Sequence, residues 1–285
     1  MSTNETYTCF TVTNENGIAH IQFSRPDAFN SMIPEFWKEL PEIVNEISLR
    51  GSARVIVISS TGKHFCAGMD LSVFTGGNGE KPDPRTAQQR AEAMRYHVLN
   101  LQKTISCLDE ARMPVLVALQ GGVIGGGVDL SSAADCRYAT RDAFFCVQEI
   151  NIGMTADVGT FPRLCHLLPQ GIVRELSYTG RRMSALEAKE RGLVNEVWDT
   201  QEEMLEGVMA IAREIASKSP LAIAGSKVMI NYARDHSIND GLDYIALWQA
   251  GMAQPAEMAE AFAAKAEKRD PDFPDLAPVR KGLGA

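Results

Sequence analysis

The sequence predicts an α/β fold with a helical C-terminal region, on three observations. Short runs of core-type residues, such as "RVIVISS" (54–60) and "PVLVALQG" (114–121), alternate with helical patterns over the first 199 residues. From residue 200 onward the pattern is helical throughout. A chain of 285 residues is also long for one core and short for two independent ones. Strand–helix alternation followed by a run of helices makes an α/β core with a helical appendage. The expected division is therefore 1–199 as an α/β core and 200–285 as a helical C-terminal region.

Each element has its own signal. "YTCFTVTNENGIAHIQFS" (7–24) alternates polar and apolar residues on both sides of Asn16-Gly17, the pattern of a β-hairpin. "RPDAFNS" (25–31) reads as a loop, and "PEFWKELPEIVNEIS" (34–48) as an amphipathic helix with Pro41 as a kink. The strand at 54–60 leads to the loop "TGKHFCAGMDL" (61–71). "FTGGNGEKPDP" (74–84) is rich in Gly and Pro and is expected to be mobile. A long helix follows over 86–111, then the strand at 114–121, and "GGVIGGG" (121–127) opens a helix at "VDLSSAAD". Short strands are expected at "CRYAT" (136–140) and "AFFCV" (143–147), and after "VNEVW" (194–198) the pattern is wholly helical. Helices then cover 201–219, 220–235, 238–252 and 255–269. There is no internal repeat or low-complexity tract.

Composition excludes several classes. With 45% hydrophobic and 22% charged residues, the chain is of the ordinary soluble globular kind. A net charge of −8 argues against a nucleic-acid partner, which needs a basic face. The six cysteines (Cys9, Cys66, Cys107, Cys136, Cys146, Cys165) form no CxxC pair, and no histidine stands at a metal-ligand spacing. Reduced, mostly buried thiols are expected, with His166 a satisfied core residue and no metal. "MSTNETYTCF" lacks the pattern of a secretory or mitochondrial leader, and "VRKGLGA" is not a peroxisomal tripeptide. No apolar run approaches a membrane span, so a cytoplasmic protein without a membrane partner is expected.

Two glycine loops carry the first chemical signal. "GGVIGGGVDL" (121–130) follows a strand and precedes a helix, as a dinucleotide-binding turn does, but its glycines never form G-x-G-x-x-G. It also lacks the Gly-Lys-Ser/Thr of a phosphate loop. Glycines at a helix start instead let backbone N–H groups approach a ligand oxygen, where the helix adds positive potential. "HFCAGMDL" (64–71) likewise ends in Ala-Gly before a helix. Two such amides converging on one carbonyl would make an oxyanion hole. Singly, each loop reads equally well as a tight turn.

A second signal lies in "AFFCVQEINIGMTADVGTFP" (143–162), where Glu149 and Asp157 are the only charges in a largely apolar stretch. Carboxylates in apolar surroundings are costly unless paired, hydrogen-bonded or protonated. Singly, an acid here reads as a surface residue, and an Asp at 129 as a first-turn acid favoured by the helix dipole.

Together the two loops resemble the signature loops of the crotonase superfamily, the enoyl-CoA hydratase/isomerase family. "SRPDAFNSM" is similar to its early Arg-Pro-x-x-x-Asn loop, and "ADCRYATRDAFF" to the strand pair after its glycine helix. "SALEAKERGLVNEV" and "MAEAFAAKAEKRDPDF" resemble later segments, so the likeness runs from Thr8 to Phe273. The resemblance implies a spiral of ββα turns with C-terminal helices that form a homotrimer, usually paired into a hexamer. It implies an acyl-CoA thioester as substrate, with no cofactor beyond the CoA that the substrate carries. It assigns the thioester oxygen to the backbone N–H groups of Met69 and Gly126, and the surrounding substrate contacts to Ala67, Gly68, Asp70, Leu71 and Gly125.

Acids separate the subfamilies. Hydratases carry two glutamates around one water; here the corresponding positions hold Asp129 and Glu149. A third acid, Asp157, stands eight residues beyond Glu149. With "GGGVDL" and "SKVMINYARDHSINDGLDYIALW", this pattern most resembles the Δ3,5-Δ2,4-dienoyl-CoA isomerases of fatty-acid β-oxidation. The resemblance implies that Glu149 removes the proton from carbon 2, Asp157 protonates carbon 6, and Asp129 supports the centre. A 1,5-shift spans more of the acyl chain than one carboxylate reaches, which explains two separated acids. Phe36 or Phe74, with nearby methionines, is expected to line the acyl tunnel. The alternatives are an enoyl-CoA hydratase with an altered acid pair and a non-catalytic crotonase-like RNA-binding or scaffold protein.

Overall fold

The computed structural model describes residues 3–75 and 84–280. The expected mobile segment therefore falls mostly outside the described residues, as does the side chain of Phe74. Strand β1 (Thr3–Thr6) pairs with β2 (Phe10–Glu15), which turns into β3 (Ile18–Phe23) through the two residues Asn16-Gly17. Both turn residues have positive φ, 53° and 77°, which is the I′ geometry that suits the right-handed twist of a hairpin.

Helix α1 (Phe36–Arg50) contains Pro41, and its main chain accommodates it. Proline leaves the carbonyl of Trp37 without its helical partner, and Thr104 Oγ1 donates to that oxygen at 3.0 Å. Strand β4 (Val55–Ser60) is buried throughout. Ile56 and Ile58 face the main core, whereas Val55 and Val57 face a second cluster on the other side. A strand covered on both faces needs no polar alternation, which is why "VIVI" is continuous.

After the short α2 (Leu71–Thr75), the long α3 (Ala87–Glu110) opens with a capping box between Thr86 and Gln89. Then come β5 (Val115–Leu119), β6 (Gly122–Ile124), α4 (Gly126–Ala133), β7 (Cys136–Thr140) and β8 (Phe144–Cys146). A 3₁₀ turn (Glu149–Ile152) precedes α5 (Thr160–Leu167) and α6 (Gln170–Thr179). Next are β9 (Met183–Ser184), α7 (Ala185–Glu190) and β10 (Glu196–Trp198). The chain ends in α8 (Gln201–Ala216), α9 (Pro220–Asp235), α10 (Ile238–Met252) and α11 (Pro255–Glu267).

Among the described residues the strands make two sheets. The larger runs β1-β2-β3-β4-β5-β7-β10, parallel from β3 onward; the smaller runs β6-β8-β9. Helix α8 covers the second face of the large sheet with Met204, Val208 and Ala212. Helix α9 is tied to the core by Lys227, whose buried ammonium donates to the carbonyls of Leu108 and Met113 and pairs with Asp135 at 2.9 Å. Helix α10 buries no residue.

Most of the free thiols are buried, four of six, with Cys165 exposed. Two sequence expectations need correction. His166 lies on the exposed side of α5 and is not a core residue. Phe36 is fully buried against Phe10, Phe23 and Trp37 and lines no cavity; its larger neighbour Trp37 does.

Candidate active site

Both glycine loops meet at one edge. The segment after β4 runs alongside β6: Cys66 N donates to Gly122 O at 3.1 Å, and Ile124 N donates back to Cys66 O at 3.0 Å. This parallel bridge carries Ala67-Gly68-Met69 against the start of α4. The contact leaves no room for side chains. A Cβ on Gly68 (φ +84°) would stand 3.0 Å from Ile124 O, and one on Gly127 would stand 3.2 Å from Cys66 O.

Hydrogen bonding then sorts the amides. Ala67 N donates to Phe29 O, Gly68 N to Cys66 Sγ, Asp70 N to Met32 O and Gly125 N to Cys146 O. Met69 N donates to no group among the described residues, and neither do the first-turn donors of α4, Gly126 and Gly127. Gly127 is buried against Cys66, whereas Met69 and Gly126 are partly exposed and line a cavity of about 700 Å³. The two amides that the resemblance assigned are thus the loop donors left for a ligand.

The same cavity brings together Asp129, Glu149 and Asp157. Asp129 projects from the first turn of α4, is 1% exposed, and accepts from Thr160 Oγ1 at 2.7 Å. Burial pushes its pKa up to about 6, against the lowering effect of Thr160 and the Arg163 charge. Glu149 opens the 3₁₀ turn. Its Oε2 is buried without a hydrogen-bond partner, and burial, with the nearby charges of Asp129 and Asp157, pushes its pKa up to about 7. Gly125 (φ +52°) makes way for this carboxylate, since a Cβ there would stand 3.1 Å from Glu149 Oε1. Asp157 is half-buried and precedes the buried pair Val158-Gly159.

Of the other expected contacts, Ala67, Gly68, Gly125 and Leu71 line the cavity. Asp70 also lies there, but its carboxylate is occupied: Ser31 Oγ and Ser72 Oγ each donate at 2.6 Å and hold its pKa down at about 2. Through these bonds it fastens its loop to the 25–31 loop and to the start of α2. The Asn of "SRPDAFNSM" does similar work. Asn30 is buried with φ +53°, donates to Thr61 O and His64 O, and accepts from Arg25 N. Sequence reasoning missed Thr160, thirty-one residues from its partner, and Met32, whose sulfur lies over Gly126. No short-range pattern marks either residue.

Asp129 generates a stability prediction. Its folded pKa lies above the value of a free aspartate, so its stabilising contribution is present below pH 3.8 and is lost as pH rises through about 6. Asp129→Asn keeps the acceptor for Thr160 and removes the charge. Thermal unfolding is expected to show a higher Tm for the variant at pH 8, with the gain vanishing toward pH 4. An equal or lower Tm at pH 8 would contradict this account of the site.

Residues 13–276 match the Enoyl-CoA hydratase/isomerase family model. A mouse protein named Delta(3,5)-Delta(2,4)-dienoyl-CoA isomerase, mitochondrial, is 41% identical over 254 residues, covering 89% of this chain and 77% of its own. An Arabidopsis thaliana protein of the same activity name, peroxisomal, is 35% identical over 262 residues, covering 92% and 94%. In structure, the fold superimposes on an enoyl-CoA hydratase from Bacillus anthracis with a TM-score of 0.80 at 29% identity, over 95% of this chain and 98% of the other. A Streptomyces coelicolor structure described as a putative enoyl-CoA hydratase gives 0.84 at 25% identity, over 96% and 97%. With both glycine loops and the acid cluster gathered around one cavity, the chain belongs to the enoyl-CoA hydratase/isomerase family.

Proposed function

We propose that the chain is an acyl-CoA isomerase of fatty-acid β-oxidation that converts 3,5-dienoyl-CoA to 2,4-dienoyl-CoA. The observation that carries the reading is the set of three acids facing the cavity that also holds the Met69 and Gly126 amides. Relatives named for this reaction in mouse and Arabidopsis support it. In this reading the thioester oxygen accepts from both amides, so charge that develops on deprotonation is stabilised where it forms. Glu149 takes the proton from carbon 2. A base with a pKa near 7 is matched to proton transfer at neutral pH, and its unpartnered oxygen is available to the substrate. Asp157 delivers a proton to carbon 6, and buried Asp129 shapes the field around Glu149.

The hydratase alternative needs Asp129 and Glu149 to share one water. Asp129 is instead buried and engaged by Thr160, and is shorter than a glutamate by one methylene, which disfavours that arrangement. The RNA-binding or scaffold alternative finds no support in a chain of net charge −8 with its acid cluster intact. No cofactor beyond the substrate's CoA is part of the proposal.

A homotrimer, or a hexamer of two trimers, is proposed as the working assembly. Helix α10 exposes Ile238, Leu242 and Leu247, α11 exposes Phe262, and apolar area of this kind calls for a covering surface. No described helix is long and apolar enough to cross a membrane. A cytoplasmic location is proposed from the free thiols, which suit a reducing compartment, although the named relatives are mitochondrial and peroxisomal.

Supplying 3,5-dienoyl-CoA should produce the absorbance of a 2,4-diene conjugated with the thioester. Asp157→Asn should lower that rate by roughly 10²- to 10⁴-fold, the usual size of a general-acid contribution. Hydration of 2-enoyl-CoA with no isomerisation would sink the proposal. The isomerase kcat/KM should also fall as pH drops below about 7, because Glu149 must be ionised to accept the proton. A rate independent of pH between 5 and 8 would remove Glu149 as the base. Light scattering should give three or six times the 31.1 kDa chain mass, and a monomer would exclude the proposed assembly.

A further inference from the structure

Segment 156–160 carries one of the three acids, Asp157, and also Thr160, whose hydroxyl donates to Asp129. Asp157 and Val158 line the active-site cavity and also a larger cavity of about 1300 Å³ bounded by α3, α5, α9 and α10. Ala156, Val158 and Thr160 are buried, whereas Asp157 among them is half-buried and borders both cavities, so polar contacts to its main chain help set where it stands.

Those contacts come from one face of α3. Gln102, Ser106 and Asp109 follow one another at the i, i+4, i+7 spacing of a single helical face. Gln102 Nε2 donates to the carbonyl of Asp157 at 2.7 Å. Asp109 pairs with Arg163 at 2.8 Å, and Ser106 Oγ accepts from Arg163 Nη2 at 3.0 Å. Arg163 Nη1 in turn reaches the carbonyl of Val158 at 3.5 Å. The guanidinium lies so close to Gly159 (φ +136°) that a Cβ there would overlap it. Of these contacts, the Gln102 hydrogen bond is the one made directly to the main chain of the acid.

We propose that Gln102 is a positioning residue for Asp157, fixing through the acid's main-chain carbonyl the reach of its carboxyl to carbon 6 of a bound dienoyl chain. The inference rests on the isomerase reading. In that reaction the C–H bond at carbon 2 breaks, and its proton goes to Glu149. Its electron pair enters the conjugated system, and a new C–H bond forms at carbon 6 with the proton of Asp157. Exchange with solvent returns Glu149 to its ionised form and Asp157 to its protonated form. Only the second proton transfer depends on where Asp157 stands. Loss of the Gln102 donor therefore lets the deprotonated intermediate return to substrate instead of advancing.

Gln102→Met keeps the side-chain length and removes the donor. Assays of the full-length protein on 3,5-dienoyl-CoA in deuterated water report both steps: isomerisation by absorbance, and deuterium at carbon 2 of recovered substrate by mass spectrometry. Isomerisation kcat should fall roughly 10- to 100-fold, the cost of an ångström-scale misplacement, while KM and carbon 2 exchange stay within about twofold. The ratio of exchange to isomerisation thus rises by about the factor lost in kcat. Gln102→Asn, which retains a donor on a shorter arm, should give an intermediate ratio; it carries the test alone if the methionine variant fails to fold. An unchanged ratio in the folded variants, whether both rates fall together or neither moves, overturns the proposal. Absence of isomerisation by the wild-type protein would instead remove the isomerase reading, and this inference with it.

Discussion

The site depends on one backbone contact, the parallel bridge between Cys66 and Val123. It brings the end of one strand–loop unit against the glycine turn of the next, at a spacing where a Cβ on Gly68 or Gly127 would crowd a carbonyl oxygen at 3.0 or 3.2 Å. Gly68, Gly125 and Gly127 each face a backbone atom or the Glu149 carboxylate within about contact distance, and Met32 presses on Gly126. Packing the two loops this closely consumes most of their donors internally. Of the donors left over, those of Met69 and Gly126 border the cavity, whereas that of Gly127 is buried. Sheet-like hydrogen bonds on neighbouring residues hold both loops in place.

Placing three acids beside those donors has a cost that the structure meets unevenly. Asp129 is compensated by Thr160 and by the Arg163 charge, yet burial still leaves its pKa well above that of a free aspartate. Glu149 has one oxygen with no partner at all. An unpaired buried carboxylate weakens the fold at neutral pH, and the same strain makes it basic enough to accept a proton there. Stability is lost at the position where proton affinity is needed.

Much of the fold was legible because the local rules agree with the global packing. Asn16-Gly17 between alternating runs marks a tight turn, and the continuous "VIVI" marks a buried strand. Helices α5, α6 and α7 and strands β1 and β10 go unassigned in the sequence. Two further strands have no periodicity at all: β6, three residues inside a glycine run, and β9, two residues long. Their partners supply the reason for them to be strands, and a partner distant in sequence is invisible to local pattern. The site divides in the same way. Glycine loops and acids carry their own signatures, but the contacts that set their geometry cross 31 residues from Thr160 to Asp129 and 55 from Gln102 to Asp157. Asp70 sits inside a signature loop, but its two serine donors, one from the 25–31 loop and one from α2, are not marked by the motif.

The helical C-terminal region is joined to the site by charge as well as by chain continuity. Asp109 on α3 accepts from Arg163, behind the Asp157 turn, and from Arg234 on α9 at 3.3 Å. Lys227, about two turns earlier on α9, is buried and held by the end of α3 and by Asp135. Helix α3 is therefore clamped from both directions at its C-terminal end, the end that presents Ser106 and Asp109 to the acid-bearing segment. Helix α10, with its exposed apolar residues, packs on the same α9.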